Sequence, residues 1–358
     1  MEILPKTLGT RPRLAVEVRA EGVVAARAED AAAVLTAVSR ADLPEGAVVP
    51  GLRAGNFVDK TAVVGAIRRA LDGVVPGGRE RSRDVTVVVP DAAARVLLLE
   101  FEELPSKTVE ALPVVRFRLK KLLPFDADHA MVSYQVMSSE KGSIKVLAVA
   151  MPKDVLEEYE GVVLAAGYVP GAVLPSTLAA LAGLDDQTTP VLAVNAGVGA
   201  VTTAIVQGGL LLLHRSVDLN VGAVATAGAS PVVPVAVEPN WLDEPGGLDP
   251  FEAEARMQSA VVETEVLREA GMNAMAHDVA QAVSVAAAYF EDSLQSAPGE
   301  LLVAGTLGAE SVGAMLEENG VEGLRVRETV DSGMIEVGAV TARVPRGWLA
   351  GVRGALKN

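Results

Sequence analysis

The chain of 358 residues contains no cysteine and only three histidines. Without thiols there is neither a disulfide framework nor a cysteine nucleophile, and the histidines are too few to supply a zinc cluster. His129 and His214 are far apart in the sequence, and neither belongs to a triad-like motif with a nucleophilic serine. We therefore predict no metal site and assign no catalytic residue.

Basic residues are also in short supply, since 31 lysines and arginines stand against 46 aspartates and glutamates, for a net charge of -15. Binding to nucleic acid needs a basic face that displaces counterions, so this charge argues against that class of function. Aromatic residues make up only 3% of a chain whose hydrophobic content is 50%. Such a core of alanine, valine and leucine is typical of α/β proteins, and the length is sufficient for two lobes.

The sequence does not indicate a membrane-spanning helix. The longest uncharged run, 188–213, contains Asn195, Gln207 and several glycines, and its β-branched residues favour buried strands. The N-terminus lacks the basic region and apolar core of a signal peptide. We therefore expect a soluble, cytoplasmic protein.

Two tight hairpins are predicted between residues 191 and 219. Aliphatic runs at 191–194, 201–207 and 210–219 are separated by turn sequences at 195–199 and 208–209. Successive N–H groups in a glycine-rich turn can bind a phosphate, because no Cβ keeps the anion away. A site for a Mg²⁺ nucleotide usually adds a carboxylate, but the residue at this position is the neutral Asn195.

The first half of the chain contains another hairpin and a small inserted module. We predict strands at 14–18, 23–27 and 85–89, a helix over 59–72 with Asp59 as its N-cap, and a helix over 153–166. The module between them consists of a strand at 96–101, a helix from Pro105 to about Leu123, and an antiparallel pair at 131–137 and 144–151. Its order is strand, helix, strand, strand.

The second half is predicted to be mainly helical after its hairpins. The stretch 229–250 is rich in proline and glycine and is interpreted as a loop. Helices are expected over 251–271, 273–295 and 310–319, with a strand at 300–303.

These residues resemble the PilM family of type IV pilus assembly proteins. The strongest match is Leu123-Pro124-Phe125-Asp126, followed by Tyr134-Gln135-Val136. Further similar segments are 43–71, the runs VTVVVP and LEFEELP, 208–216 and 280–290. The resemblance extends from about Arg13 to Arg343.

The resemblance implies an α/β actin-like ATPase fold similar to that of FtsA. Two lobes of ribonuclease-H type would face each other across a nucleotide cleft, and a small β-α-β-β subdomain would be inserted in lobe one. The expected boundaries are an N-terminal segment at 1–12, lobe one at 13–185 with the subdomain at about 96–151, lobe two at 186–343, and a C-terminal tail at 344–358.

The chain departs from the family at the expected nucleotide site. Glu17 keeps a carboxylate in the first hairpin, but Arg19 replaces a glycine that lets the backbone approach phosphate. The arginine side chain would either obstruct the usual phosphate position or neutralise the phosphate charge directly. The other matching residues of the site are Asn195, Gly197, Gly199, Ala304 and Gly305. We therefore expect the chain to bind ATP and Mg²⁺ weakly or not at all, and to be a pseudo-ATPase.

The resemblance implies a PilN-like single-span inner-membrane protein as partner, whose N-terminal tail would bind between the subdomain and lobe one. Candidate lining residues are Leu112, Val115, Leu119, Leu122 and Phe125, although these can instead pack the subdomain's own sheet. The resemblance also allows contacts with pilus motor ATPases, recruitment to the inner membrane and self-association. The nearby Arg116, Arg118, Lys120 and Lys121 are either a solvated face or a contact for anionic lipid or an acidic partner.

Three functions remain open at this point. The first is a cytoplasmic scaffold of type IV pilus or related secretion machinery. The second is an active actin-like ATPase whose nucleotide state regulates assembly, and the third is the cytoplasmic part of a type II secretion L-type protein.

The apolar stripe of the tail, which includes Trp348 and Leu356, is expected to dock on lobe two rather than to form an interfacial helix.

Overall fold

The computed structural model describes residues 11–75, 82–184, 188–219, 250–339 and 344–357, and for 250–270 it describes the helical backbone alone. The stretch 229–250, interpreted above as a loop, lies outside the described residues apart from its last position.

Lobe one is built on a mixed sheet of five strands. Its strands are β1 (Leu14–Val18), β2 (Gly22–Ala28), β3 (Leu35–Asp42), β4 (Asp84–Val89) and β8 (Val169–Pro175), in the order β3-β2-β1-β4-β8. β1, β2 and β3 pair antiparallel, whereas β4 and β8 run parallel to β1. The carboxyl ends of β1, β4 and β8 therefore meet at one edge of the sheet, which is where α/β proteins bind ligands.

Lobe two repeats this topology. Its strands are β9 (Val191–Ala196), β10 (Ala200–Gln207), β11 (Leu210–Asp218), β12 (Glu300–Gly305) and β13 (Arg325–Glu328), in the order β11-β10-β9-β12-β13. β9, β10 and β11 form the two predicted hairpins, and β12 runs parallel to β9 and β13. Two sheets with the same order and directions give the two lobes of ribonuclease-H type that the resemblance implies.

The subdomain forms as predicted from the sequence. Its elements are β5 (Arg95–Phe101), α2 (Thr108–Leu119), β6 (Ala130–Glu140) and β7 (Ser143–Pro152), and its sheet has the order β5-β7-β6. Helix α2 is shorter than predicted. Lys107 is still extended, and Pro124 disfavours helical backbone at the residue before it, so the helix does not reach Leu123.

The remaining helices cover the two sheets. They are α1 (Lys60–Val74), α3 (Lys153–Ala165), α4 (Ser176–Ala182), α5 (Pro250–Leu294), α6 (Gly308–Glu318) and α7 (Leu349–Leu356). Asp59 caps α1 as predicted, because its side chain accepts the N–H of Ala62 at 2.9 Å. Within the described parts of the chain, no helix combines the length and the apolar character needed to span a bilayer.

The two helices predicted over 251–271 and 273–295 are in fact one continuous helix, α5, which passes through Gly271. A glycine inside a helix costs only about 1 kcal/mol relative to alanine. The second half of α5 places Val279, Val283 and Phe290 in the core of lobe two, and this packing outweighs such a cost.

Strand β8 is not evident in the sequence. Its residues include Pro170, Gly171 and Pro175, which normally argue against a strand. They are tolerated because β8 is the outer strand of its sheet, where a missing N–H leaves no neighbouring strand unpaired. Strands β3 and β13, which the sequence analysis also missed, are outer strands as well.

The prediction that the tail docks on lobe two is wrong. Helix α7 packs mainly on α4 and on strands β1, β2 and β4 of lobe one, and it touches β12 of lobe two. Trp348, Leu349, Val352 and Leu356 are all buried in this contact, so the apolar stripe faces the protein and not a membrane surface. Arg353 and Lys357 donate to the carbonyl of Gly183 at 2.7 and 3.2 Å, at the C-terminal end of α4, where cations are favourable.

Close backbone approach makes Gly354 essential to the docking of α7. A Cβ on Gly354 would lie 1.8 Å from the carbonyl oxygen of Ala179. We expect Gly354→Ala to lower the free energy of unfolding by about 1–3 kcal/mol, since overpacking of a tight contact costs that much, and to lower Tm by several degrees in thermal unfolding. The matched control is Gly161→Ala in α3, where a Cβ meets nothing within 4 Å. It should leave Tm unchanged or raise it, and equal destabilisation by both changes would contradict the assignment.

Candidate functional site

A cleft of about 640 Å³ lies between the lobes. Its floor is formed by the carboxyl ends of β1, β4 and β8 and by the turn that follows β9. The loop 49–55 forms a further wall, and Asn56 fixes that loop by accepting the N–H of Gly51 at 2.8 Å. Residues of both predicted phosphate hairpins therefore line the same cleft: Glu17, Arg19, Glu21, Asn195, Gly197 and Gly199.

Glu17 and Arg19 form a buried ion pair at the end of β1. The Arg19 Nη2 lies 2.6 Å from Glu17 Oε1, and the Ser176 hydroxyl donates to the same oxygen at 2.6 Å. Burial raises the pKa of Glu17, while Arg19 and Ser176 oppose that shift by stabilising the carboxylate. The Arg19 guanidinium thus pairs with the buried Glu17 carboxylate, and Arg19 is only 7% exposed.

Asn195 belongs to a polar cluster that crosses the cleft. Its Nδ2 donates to Ser176 Oγ at 2.9 Å and to Thr177 Oγ1 at 3.0 Å, and it lies 3.4 Å from Asp91 Oδ2. Its Oδ1 is buried and has no hydrogen-bond partner among the described residues. The Asn195 amide nitrogen therefore donates to lobe one, while the Asn195 amide oxygen accepts no hydrogen bond from the described residues.

The sequence analysis did not identify Asp91. This residue accepts the backbone N–H of Thr177 at 3.0 Å and also the Thr177 hydroxyl, so it joins the ends of β4 and β8. The available signal was its position, because an acidic residue directly after the buried strand and Pro90 is placed at the ligand-binding edge of a parallel sheet.

Glu21, also missed, links the two lobes directly. It lies in the turn between β1 and β2, and its Oε1 accepts the N–H of Val198 at 3.0 Å and the hydroxyl of Thr306 at 2.8 Å. The N–H of Val198 belongs to the glycine-rich turn that was predicted to bind phosphate. The Glu21 carboxylate thus accepts a hydrogen bond from an N–H of that turn that could otherwise bind an anion.

Ala304 and Gly305, which the resemblance matches to the nucleotide site, lie at the end of β12 in close contact with backbone. Gly305 has a φ of +102°, and a Cβ there would lie 2.2 Å from the carbonyl oxygen of Ala196. Gly347 of the tail approaches Gly305 equally closely, because its Cβ would lie 2.5 Å from the Gly305 carbonyl oxygen. Ala304 is buried. The glycine is required by the packing of β12 against β9 and the tail.

A second, smaller cavity of about 150 Å³ adjoins the cleft and contains His214 together with Asp91, Arg95 and Asp218. Burial lowers the pKa of His214, and the nearby Asp91 carboxylate partly offsets this. Within the described ranges no group of three or more histidine and carboxylate side chains is arranged to hold a metal ion.

The candidate partner-binding residues do not form one surface. Val115 and Leu119 are fully buried against the subdomain's own sheet, and Phe125 packs partly against the same core. These residues therefore pack the subdomain's own core, which was the alternative to lining a partner site. Leu112 is half-buried and Leu122 is 48% exposed.

Two depressions lie between the subdomain and lobe one, on either side of residues of α3, and we call them together the subdomain groove. One part, of about 190 Å³, is lined by Met131 and Val132 of β6, by Gly171 and Val173 of β8, and by Leu156 of α3. The other part, of about 540 Å³, is lined by Phe125, His129, Lys153, Glu157 and the loop 52–54. Helix α3 contributes to both parts. Of the five candidates, Phe125 lies in this groove.

Comparison with known proteins supports the fold. The chain is similar to a chain of a PilM-PilN type IV pilus biogenesis complex, with a TM-score of 0.66 and 16% identity over 97% of both chains. It is also similar to the ethanolamine utilization protein EutJ from Carboxydothermus hydrogenoformans, with a TM-score of 0.43 and 12% identity over 97% of this chain and 89% of that one. The cytoplasmic domain of EpsL, an inner membrane component of the type II secretion system of Vibrio cholerae, gives a TM-score of 0.38 and 14% identity over 65% of this chain and 78% of that one. No family model and no curated protein matches the chain.

The first of these likenesses confirms the predicted fold. The chain has an actin-like fold of two lobes, and the two sheets of identical order agree with it. At 16% identity the likeness establishes the fold and leaves the function to be argued from the residues.

The contacts of Glu21 generate a prediction about coupling between the lobes. We expect Glu21→Ala to expose the N–H of Val198 to faster hydrogen exchange, because its acceptor is removed. The loss of hydrogen bonds to a charged group should lower the free energy of unfolding by about 1–3 kcal/mol. The control is Glu45→Ala at an exposed position of lobe one. Unchanged exchange at Val198 in the Glu21 variant would contradict the link.

Proposed function

We propose that the chain is a scaffold of type IV pilus or related secretion machinery. In this proposal it binds the extended cytoplasmic tail of a PilN-like inner-membrane protein in the subdomain groove and does not hydrolyse nucleotide. The observation that carries the proposal is that two sheet edges, which no strand among the described residues covers, meet at one apolar groove.

The two sheet edges belong to different sheets. β6 is the outer strand of the subdomain sheet and β8 is the outer strand of the lobe-one sheet, and both line the groove. An outer strand offers N–H and C=O groups to an added strand, so an extended peptide can extend the sheet at β6. Strand β8 is less suited to this, because Pro170 and Pro175 lack N–H groups, and it contributes mainly apolar contacts. Met131, which is 52% exposed, Val132 and Val173 provide apolar contacts for alternate side chains of such a peptide.

The charges around the groove also favour a peptide. Lys153, Asp154 and Glu157 at the start of α3 and Asp126 and His129 of the subdomain form a polar end to an otherwise apolar channel. Peptide grooves of this kind combine apolar anchors with a polar rim. The PilM of the structurally similar complex is found with PilN, which supports a PilN-like partner here.

The cleft between the lobes does not fit a Mg²⁺ nucleotide well. The donors that phosphate requires are already used, since Val198 and Thr306 donate to Glu21, and Arg19 and Ser176 donate to Glu17. The carboxylates of Glu21 and Glu17 would repel a phosphate group, and Asn195 supplies no charge for the metal. These contacts support a pseudo-ATPase, and the proposal that the site lacks ATP and Mg²⁺ rests on them.

Peptide binding is tested with a synthetic peptide of the cytoplasmic tail of the PilN-like protein, titrated by calorimetry. We expect Met131→Lys to weaken binding at least about ten-fold, because a charge would be placed at an apolar anchor. A peptide with methylated backbone nitrogens should also bind more weakly, because strand addition uses those N–H groups.

The matched control is Leu98→Lys on β5, the opposite edge of the subdomain sheet, where Leu98 is 36% exposed. This change should leave the affinity unchanged. Absence of binding, or equal loss in both variants, would overturn the proposed groove.

Nucleotide binding is tested by thermal unfolding with Mg²⁺ and ATP. At about 1 mM ATP, a site with a Kd of about 10 μM would raise the free energy of unfolding by about 2.7 kcal/mol. We expect no such shift in the natural chain. The double variant Glu21→Ala with Asn195→Asp frees the Val198 N–H and restores a carboxylate, so it should gain a shift. A shift in the natural chain, with turnover abolished by Glu17→Ala, would show instead an active ATPase.

A further inference from the structure

Helix α2 is apolar on both of its faces. Its inner face buries Ala111, Val115 and Leu119 against the subdomain sheet. On the opposite face Val109 is 86% exposed, Phe117 67% and Val114 38%. We call Val109, Pro113, Val114 and Phe117 the α2 outer face. Soluble proteins rarely leave large apolar side chains together in water without a function for them.

Basic side chains flank the α2 outer face. The segment 105–121 contains five basic residues and one acidic residue, in a chain of net charge -15. Glu110 pairs with Lys107 at 3.4 Å, and Lys120 pairs with Asp128 at 2.6 Å. Arg118 and Lys121 have no carboxylate partner among the described residues, and the Lys121 ammonium lies 5.8 Å from the centre of the Phe117 ring. Arg116 donates to the carbonyls of Ala127 and Ala130. The face is therefore apolar at its centre, and Arg118 and Lys121 supply the free positive charge at its margin.

The arrangement has the chemistry of a membrane-surface contact. An interfacial helix places aromatic and aliphatic side chains at the headgroup boundary and lysine or arginine beside them, where these reach anionic headgroups. None of the depressions described above is lined by Val109, Val114 or Phe117. A face with positive margins and none of these depressions fits a broad anionic surface better than it fits an inserted side chain.

We propose that the α2 outer face docks this chain on anionic lipid bilayers. The contact is independent of the subdomain groove, because the residues of the α2 outer face do not line that groove. Each lysine or arginine near an anionic membrane contributes about 1 kcal/mol, which corresponds to about five-fold in affinity. The apolar residues add the burial of their side chains.

The test is co-sedimentation of the full chain with vesicles of phosphatidylcholine containing about one-third phosphatidylglycerol, without any partner protein. We expect binding that is lost in pure phosphatidylcholine vesicles and falls at high salt. Arg118→Gln and Lys121→Gln should each lower the partition about five-fold, and Phe117→Glu should reduce it further. These positions are exposed, and an unchanged Tm verifies that each variant folds.

The matched controls are Lys145→Gln on β7 and Val337→Glu, both at exposed positions away from α2. They should bind as the natural chain does. Binding that does not depend on anionic lipid, or that Phe117→Glu leaves unchanged, would overturn the proposal. It would equally be overturned if vesicles did not bind while Phe117→Glu abolished self-association in sedimentation velocity, because the face would then join copies of the chain.

Discussion

The structure depends on the neutralisation of one buried carboxylate, that of Glu17. A charge that is 0% exposed is tolerated only when it is paired and hydrogen-bonded, and Arg19 and Ser176 both supply such contacts to Oε1 from the ends of β1 and β8. The tail packs against the other oxygen, because a Cβ on Gly351 would lie 2.4 Å from Glu17 Oε2. The same carboxylate therefore contacts an arginine, the end of a strand and a position of α7 that only glycine can occupy.

Parts of this fold follow directly from local sequence. The hairpins at β1–β2 and β9–β11 follow from aliphatic runs with glycine turns, and the cap of α1 follows from Asp59. The continuity of α5 through Gly271 and the existence of β8 could not be predicted in this way, because tertiary packing overrides the local signals of glycine and proline. The docking of the tail depends on the backbone approach at Gly354, which no pattern of hydropathy reveals.

The candidate site was predicted in position but not in its chemistry. Glu17, Arg19 and Asn195 do line one cleft, as the family resemblance implied. The resemblance suggested that Arg19 either obstructs phosphate or neutralises it, whereas in the structure the arginine serves Glu17. The role of Glu21 could not be derived from the sequence, because its partners Val198 and Thr306 are 177 and 285 residues away along the chain.

In the proposed pseudo-ATPase, contacts within the chain would connect the two lobes in place of a nucleotide. Here Glu21 joins the first hairpin to Val198 and Thr306, Asn195 joins lobe two to Ser176 and Thr177, and the tail touches both lobes. Protein side chains thus connect the two lobes across the cleft. The proposal therefore implies that lobe one can carry the subdomain, and the groove between them, without a nucleotide cycle.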